Sequence, residues 1–125
     1  MAGTKLDGAG AQKMKTLEEA LHTIQTIHGM VERAAIEVKA QKSIGVIPHQ
    51  IKRLAVPLQG QLKGQFGLIA DQVAAFILSS TRGGGGDQAK IRSMRENVAM
   101  LRTAIELNVN KVKDKHSVPI EASAD

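Results

Sequence analysis

The chain contains no cysteine, no tryptophan and no tyrosine, and only two phenylalanines, Phe66 and Phe76. Without cysteine there is no disulfide frame and no thiolate metal site, and a reducing compartment suits such a chain. The shortage of aromatics disfavours sandwiches and barrels, whose strands draw on aromatic and β-branched pairs. No stretch approaches the roughly 20 apolar residues needed to span a bilayer. Residues 1–15 also lack the apolar segment of a secretory signal. The expectation from these absences is a soluble, cytoplasmic protein with no membrane association.

What remains is rich in aliphatic side chains. The chain has 125 residues, 42% of them hydrophobic, which fits one domain built from helices packed through Leu, Ile, Val, Met and Ala. Lys and Arg number 17 against 12 Asp and Glu, a formal charge of +5.

Periodicity divides the chain into three helical stretches and two tails. Residues 1–15, rich in Gly, Ala and Lys, show no sustained period and read as a flexible tail. Thr16-Leu17-Glu18-Glu19 has the form of a capping box. Behind it Leu17, Leu21, Ile24, Ile27, Val31, Ala35 and Val38 fall on one helical stripe, so a first helix is expected over about 16–41. Pro48 suits the first turn of a second helix, over about 48–80, whose stripe is Ile51, Leu54, Leu58, Leu62, Ile69, Val73 and Phe76. Pro57 lies inside that stretch and is expected to bend or split it. The Gly83–Gly86 run ends it, and Asp87 is placed to cap a third helix over about 87–115. That helix carries Ile91, Met94, Val98, Leu101, Ile105, Val109 and Val112. Residues 117–125 read as a second flexible tail. The predicted fold is all-α: an antiparallel up-down-up bundle of three long helices spanning 16–116, with no strand.

Two surfaces follow from that topology. On the second helix Gly60, Gly64, Gly67, Ala74 and Leu78 fall nearly opposite the core stripe, and on the third Met100, Ala104 and Leu107 lie off the main stripe. Surplus apolar and small faces point to a second copy, so a homodimer through the Gly60–Leu78 face is expected. Three helices running up, down and up also bring the end of the first, the start of the second and the end of the third to one pole. That pole would carry Lys39, Lys42, Lys52, Arg53, Lys111, Lys113 and Lys115 with His49 and His116, against only Glu37 and Asp114. It reads as a contact surface for an anion or an acidic protein. Sequence-specific nucleic-acid binding is disfavoured, since there is no helix-turn-helix, zinc or RNP signature and the two Phe on apolar stripes offer no stacking platform; weak nucleic-acid binding through the basic pole stands as an alternative function.

Few residues suggest chemistry. His49-Gln50-Ile51-Lys52 is similar to the phospho-acceptor box of sensor histidine kinases and to the H-x-x-K core of histidine phosphotransfer domains, which are helical hairpins or bundles. The resemblance implies phosphoryl transfer through His49. Gln50 stands where many kinases carry an acid, Arg53 where phosphotransfer domains carry a small residue, and no ATP-binding domain follows. Glu19-Ala20-Leu21-His22 is one E-x-x-H, half of what a di-iron bundle needs. His28 and Glu32 are two potential ligands, too few to close a metal site. Asn108 falls on the third stripe, where a buried amide can set helix register. The Gly83–Gly86 run is followed by no Gly-Lys-Ser/Thr and is no phosphate loop. No nucleophile–base pairing stands out. The expectation is a non-enzymatic interaction, adaptor or scaffold protein that needs neither metal nor cofactor.

Overall fold

The computed structural model describes residues 4–82 and 86–119. It is all-helical apart from one small ribbon. In chain order it holds β1 (Thr4–Leu6), α1 (Gly8–Lys39), α2 (Ile47–Lys63), α3 (Gly67–Thr81), α4 (Asp87–His116) and β2 (Ser117–Pro119). Among the described residues there are four helices where three were expected. No helix is long and apolar enough to cross a membrane among the described residues.

The second stretch breaks, but not at Pro57. Pro57 sits inside α2 on its exposed side, where the carbonyl it leaves without a partner can turn to water. The break falls at Gly64-Gln65-Phe66, where two glycines of poor helix propensity flank a residue that leaves the helical region (Phe66 φ −134°, ψ 59°). Burial of the Phe66 side chain holds the reversal, and its backbone bridges both helices: its N–H donates to Leu62 O at 2.7 Å, and its carbonyl accepts from Ala70 N at 2.9 Å. α2 and α3 therefore form a short helical hairpin.

The tails are shorter than the sequence suggests. α1 starts at Gly8 because Asp7 caps it, its carboxylate accepting from Gly10 N at 2.6 Å. The Thr16 box does not form; the Thr16 hydroxyl bonds back to Gln12 O within the helix. β1 pairs antiparallel with β2, Thr4 opposite Pro119 and Leu6 opposite Ser117, so two segments expected as tail make a ribbon. Residues 120–125 lie outside the described residues, as do Gly83, Gly84 and Gly85. At its other end α1 closes in a Schellman turn, with Lys42 N donating to Glu37 O and Gln41 N to Val38 O. Gln41 takes the left-handed conformation there (φ 63°), where glycine is the usual choice.

The ribbon decides the topology. It joins the start of α1 to the end of α4, and Asp7 N donates to His116 O at 3.0 Å. At the opposite end Ile44 N, in the α1–α2 connection, donates to the Asp87 carboxylate at 3.2 Å. That is the work of Asp87; it starts α4 but does not cap it, since Gly86 occupies the cap position. Between the two ends Arg95 grips Glu32 through two hydrogen bonds, 2.8 and 2.7 Å long. α1 and α4 are thus antiparallel rods of about 48 and 45 Å. α2 and α3, roughly half as long, fill one side of the half nearer Ile44. The order is up, down, up, down.

One core runs through this arrangement. Ile24, Ile27 and Val31 from α1, Ile51, Leu58 and Leu62 from α2, Val73 and Phe76 from α3, and Met94, Leu101 and Ile105 from α4 are all at most 1% exposed. Most residues of the apolar stripes read from periodicity are buried in this core, while Leu21, Ala35, Val38, Leu54 and Val109 are half-buried and pack against it. Asn108 is only half-buried and spends its amide on Ala104 O in its own helix, so it sets no register between helices. Leu6 of β1 packs on the far end of the core.

Gly10 is buried where α1 crosses His116, and a methyl group there would collide with the His116 Cβ. Gly29, exposed in the middle of α1, faces open space. In urea denaturation Gly10→Ala should lower stability by about 1–3 kcal/mol through overpacking. Gly29→Ala should raise it by about 0.5–1 kcal/mol by relieving the helix of a glycine. Equal effects of the two would refute the close crossing of α1 and His116.

Candidate functional site

The four-helix topology divides the cationic pole. Lys39 and Lys42 at the end of α1 and His49, Lys52 and Arg53 at the start of α2 share the end that carries the loops, with Lys90 and Arg92 of α4 beside them. Lys111, Lys113, Lys115 and His116 stand at the end of α4, which meets the start of α1 at the ribbon. About 40 Å of α4 separates the two groups, from its 1.5 Å rise per residue. The single pole expected for a three-helix bundle does not exist. An added reversal at Gly64–Phe66 flips the direction of the last helix, and its C-terminus changes ends.

The ribbon end gathers cations that the sequence had left in a tail. Lys5, Lys13 and Lys15 join Lys111, Lys113 and Lys115 there, with Asp7 and Asp114 as acids. A shallow groove lies between them, with Leu6, Met14, Leu21 and Val109 in its lining and Lys5, Lys113 and Glu18 at its polar positions. Beside it is the most organised polar cluster in the molecule. His116 Nδ1 lies 3.2 Å from both Asp7 carboxylate oxygens, and Lys13 Nζ lies 3.4 Å from His116 Nε2. The pattern suits an imidazole that donates from Nδ1 to Asp7 and accepts at Nε2 from Lys13. The His116 side chain is only 13% exposed, and Asp7 is 42% exposed. The backbone N–H of Gly10 holds the Asp7 carboxyl below the usual carboxylate range, with His116 and Lys13 adding to the effect. Sequence reasoning missed Asp7 and Lys13. The signal was Asp7 three residues before Gly10, a possible N-cap, but no apolar period precedes Met14 to mark a helix.

The loop end has a groove of its own between α1 and α4, lined by Ala35, Val38, Lys39, Gln88, Ile91, Arg92, Arg95 and Glu96, so one acid sits among its cations. Arg95 is committed to Glu32, whose carboxyl its guanidinium hydrogen bonds hold below the usual range. Lys42, exposed, lies 3.9 Å from the half-buried Glu37, a pair of little energetic consequence. His49 is exposed in the first turn of α2, and Lys52 is exposed about one turn further on.

The other candidates stand apart. Glu19 and His22 are exposed on α1. His28 is exposed and Glu32 is taken by Arg95. Among the described residues no group of three or more His, Asp or Glu comes together. The proposed small-residue face is broken by the reversal: Gly60 lies in α2, Gly64 at its C-cap, and Gly67, Ala74 and Leu78 on the antiparallel α3. Nothing approaches within 4 Å of where a side chain would stand at Gly60, Gly64 or Gly67, so these glycines serve no close contact within the chain.

The Asp7 cluster carries a pH dependence of defined sign. A carboxyl whose folded pKa lies below its unfolded value, about 3.9, stabilises the fold above that value and stops doing so as pH falls through the folded one. Urea midpoints should therefore drop more steeply for the wild type than for Asp7→Asn as pH falls from about 5 to 2, since Asn keeps the cap but cannot titrate. Parallel profiles would show that the Asp7 charge is idle. Compared with family models, with curated proteins and with solved structures, the chain matches none.

Proposed function

We propose that this chain is a helical interaction module, working by binding rather than catalysis. Its contact surfaces are the two cationic ends of the rod, and its partner presents an acidic protein surface. One observation carries this reading. The helix dipole accounts for Lys39, Lys113 and Lys115, which stand in last turns. It does not account for Lys5, Lys13, Lys52, Arg53, Lys90 and Arg92, which stand before or within the first two turns of α1, α2 and α4. The first turns of α1 and α2 contain no acid at all. Charge placed without help from the helices it sits on is charge available for a partner.

A second reading rests on His49. An exposed histidine with Lys52 one turn on, in a chain of four helices, keeps the resemblance to histidine phosphotransfer domains in play. Arg53, in place of a small residue, counts against it.

Affinity capture from native extract, treated with nuclease, separates the readings. Wild type should be compared with Lys111/Lys113/Lys115→Glu, Lys42/Lys52/Arg53→Glu and His49→Ala. The interaction reading expects a protein partner that is lost, or weakened about tenfold or more, with one of the charge-reversal variants and kept by His49→Ala. Loss with His49→Ala alone, together with acid-labile phosphate on the wild type, would establish the phosphotransfer reading instead. Capture abolished by nuclease would identify nucleic acid as the ligand, with affinity falling steeply in salt.

A further inference from the structure

The outward face of α4 is short of charge over two turns. Ala99, Met100, Thr103, Ala104 and Leu107 line a shallow groove there with Gln72 of α3. Met100 is 59% exposed and Leu107 55%, and Leu68, one turn from Gln72 along α3, is 82% exposed. At about 100° per residue, Met100, Thr103 and Leu107 fall within about 60° of one another. The small Thr103 and Ala104 mark the middle of the patch, where a second helix could approach closely. Among the described residues no element covers Met100, Thr103 or Leu107.

Charges around the patch point to its occupant. Moving outward from the Thr103–Ala104 midpoint along the Met100–Leu107 side, the N-terminal half of α4 carries Glu96 and Arg92, and the C-terminal half carries Lys111 and Asp114. All four are exposed, and none makes an ion pair among the described residues. A two-fold axis through the midpoint, with a second α4 running antiparallel, sets Glu96 against the partner's Lys111 and Arg92 near its Asp114. Each pair is of opposite sign and occurs twice. The same register sets Met100 on Leu107 and Thr103 on Ala104. Parallel in-register pairing would instead stack every charge on its like. A pattern that complements itself across one axis is the mark of an isologous contact. We infer that the chain forms an antiparallel homodimer through the outer face of α4, centred on Thr103 and Ala104. The contact takes only Arg92 and Lys111 from the cationic ends and leaves their other lysines and arginines open, so a dimer carries four binding ends.

The absence of native cysteine makes the test direct. Light scattering on the full chain, from about ten to several hundred micromolar, should give twice the chain mass. Met100→Glu with Leu107→Glu should raise the dimer dissociation constant by roughly tenfold or more, with helix content unchanged by circular dichroism. Glu96→Lys should weaken the dimer, and adding Lys111→Glu should restore it. Under mild oxidation Thr103→Cys should link two chains quickly. Gly60→Cys, on the helix diagonal to α4, should not. A mixture of Met100→Cys and Leu107→Cys chains should link to each other faster than either links to itself. A monomer at every concentration would overturn the inference, whatever the ends bind. So would a dimer in which Gly60→Cys links faster than Thr103→Cys, or one in which the Met100→Cys and Leu107→Cys chains each prefer their own kind.

Discussion

Everything in this molecule depends on the antiparallel pairing of α1 and α4. The two helices are twice the length of the others, and they are pinned at three heights by different chemistry. The ribbon and the Asp7–His116 contacts hold one end, the Ile44–Asp87 bond holds the other, and the Glu32–Arg95 bidentate pair adds a third point about two turns in from the Ile44–Asp87 end. None of these polar contacts is strong by itself, since most involve exposed groups. Their role is register. The stability comes from the apolar seam between them, where Leu17, Ile24, Ile27, Val31, Met94, Leu101 and Ile105 are all but fully buried. Only one buried polar side chain, Ser80, interrupts the described core, and its hydroxyl donates to Ile77 O.

That pairing also settles where charge goes. Because α4 runs against α1, the C-terminal lysines of α4 lie beside the N-terminal lysines of α1. The helix dipole favours the first group and gives no reason for the second. Both ends of the rod become cationic, while α3 and the outer face of α4 keep a charge-poor flank. A rod with like-charged ends and an apolar side has two kinds of surface that share only Arg92 and Lys111. That separation lets binding at the ends and self-association along the side be considered independently.

Much of the fold was legible before any coordinates. Most residues in the apolar stripes of all three expected helices are core residues, because a period near 3.6 is imposed by burying one side of a helix and by little else. Pro48 opens α2, and α4 begins at Asp87 as placed. The failures have physical causes. Pro57 was a plausible breaker, but an exposed proline in a helix leaves its orphaned carbonyl to water. The actual reversal needed Gly64 and Gly67 together with a buried Phe66, a combination whose effect depends on what Phe66 packs against. The start of α1 was missed because Gly8, Ala9, Gly10 and Ala11 have no apolar period. They are helical through the Asp7 cap and the contact between Gly10 and His116, which lies more than a hundred residues away.

The sequence by itself determined that the chain is helical, which residues form its core, and how much cationic charge it must place on its surface. These are local properties, written in spacing and composition. Only the tertiary structure decided which charges are neighbours. One extra reversal changes the parity of the helices and sends the end of α4 to the opposite pole, and no pattern within α4 records that. Likewise, two three-residue strands of no individual propensity exist only because the α1–α4 pairing delivers them to each other. Register and parity are properties of contacts between distant segments, and a linear pattern specifies them only through the packing it produces.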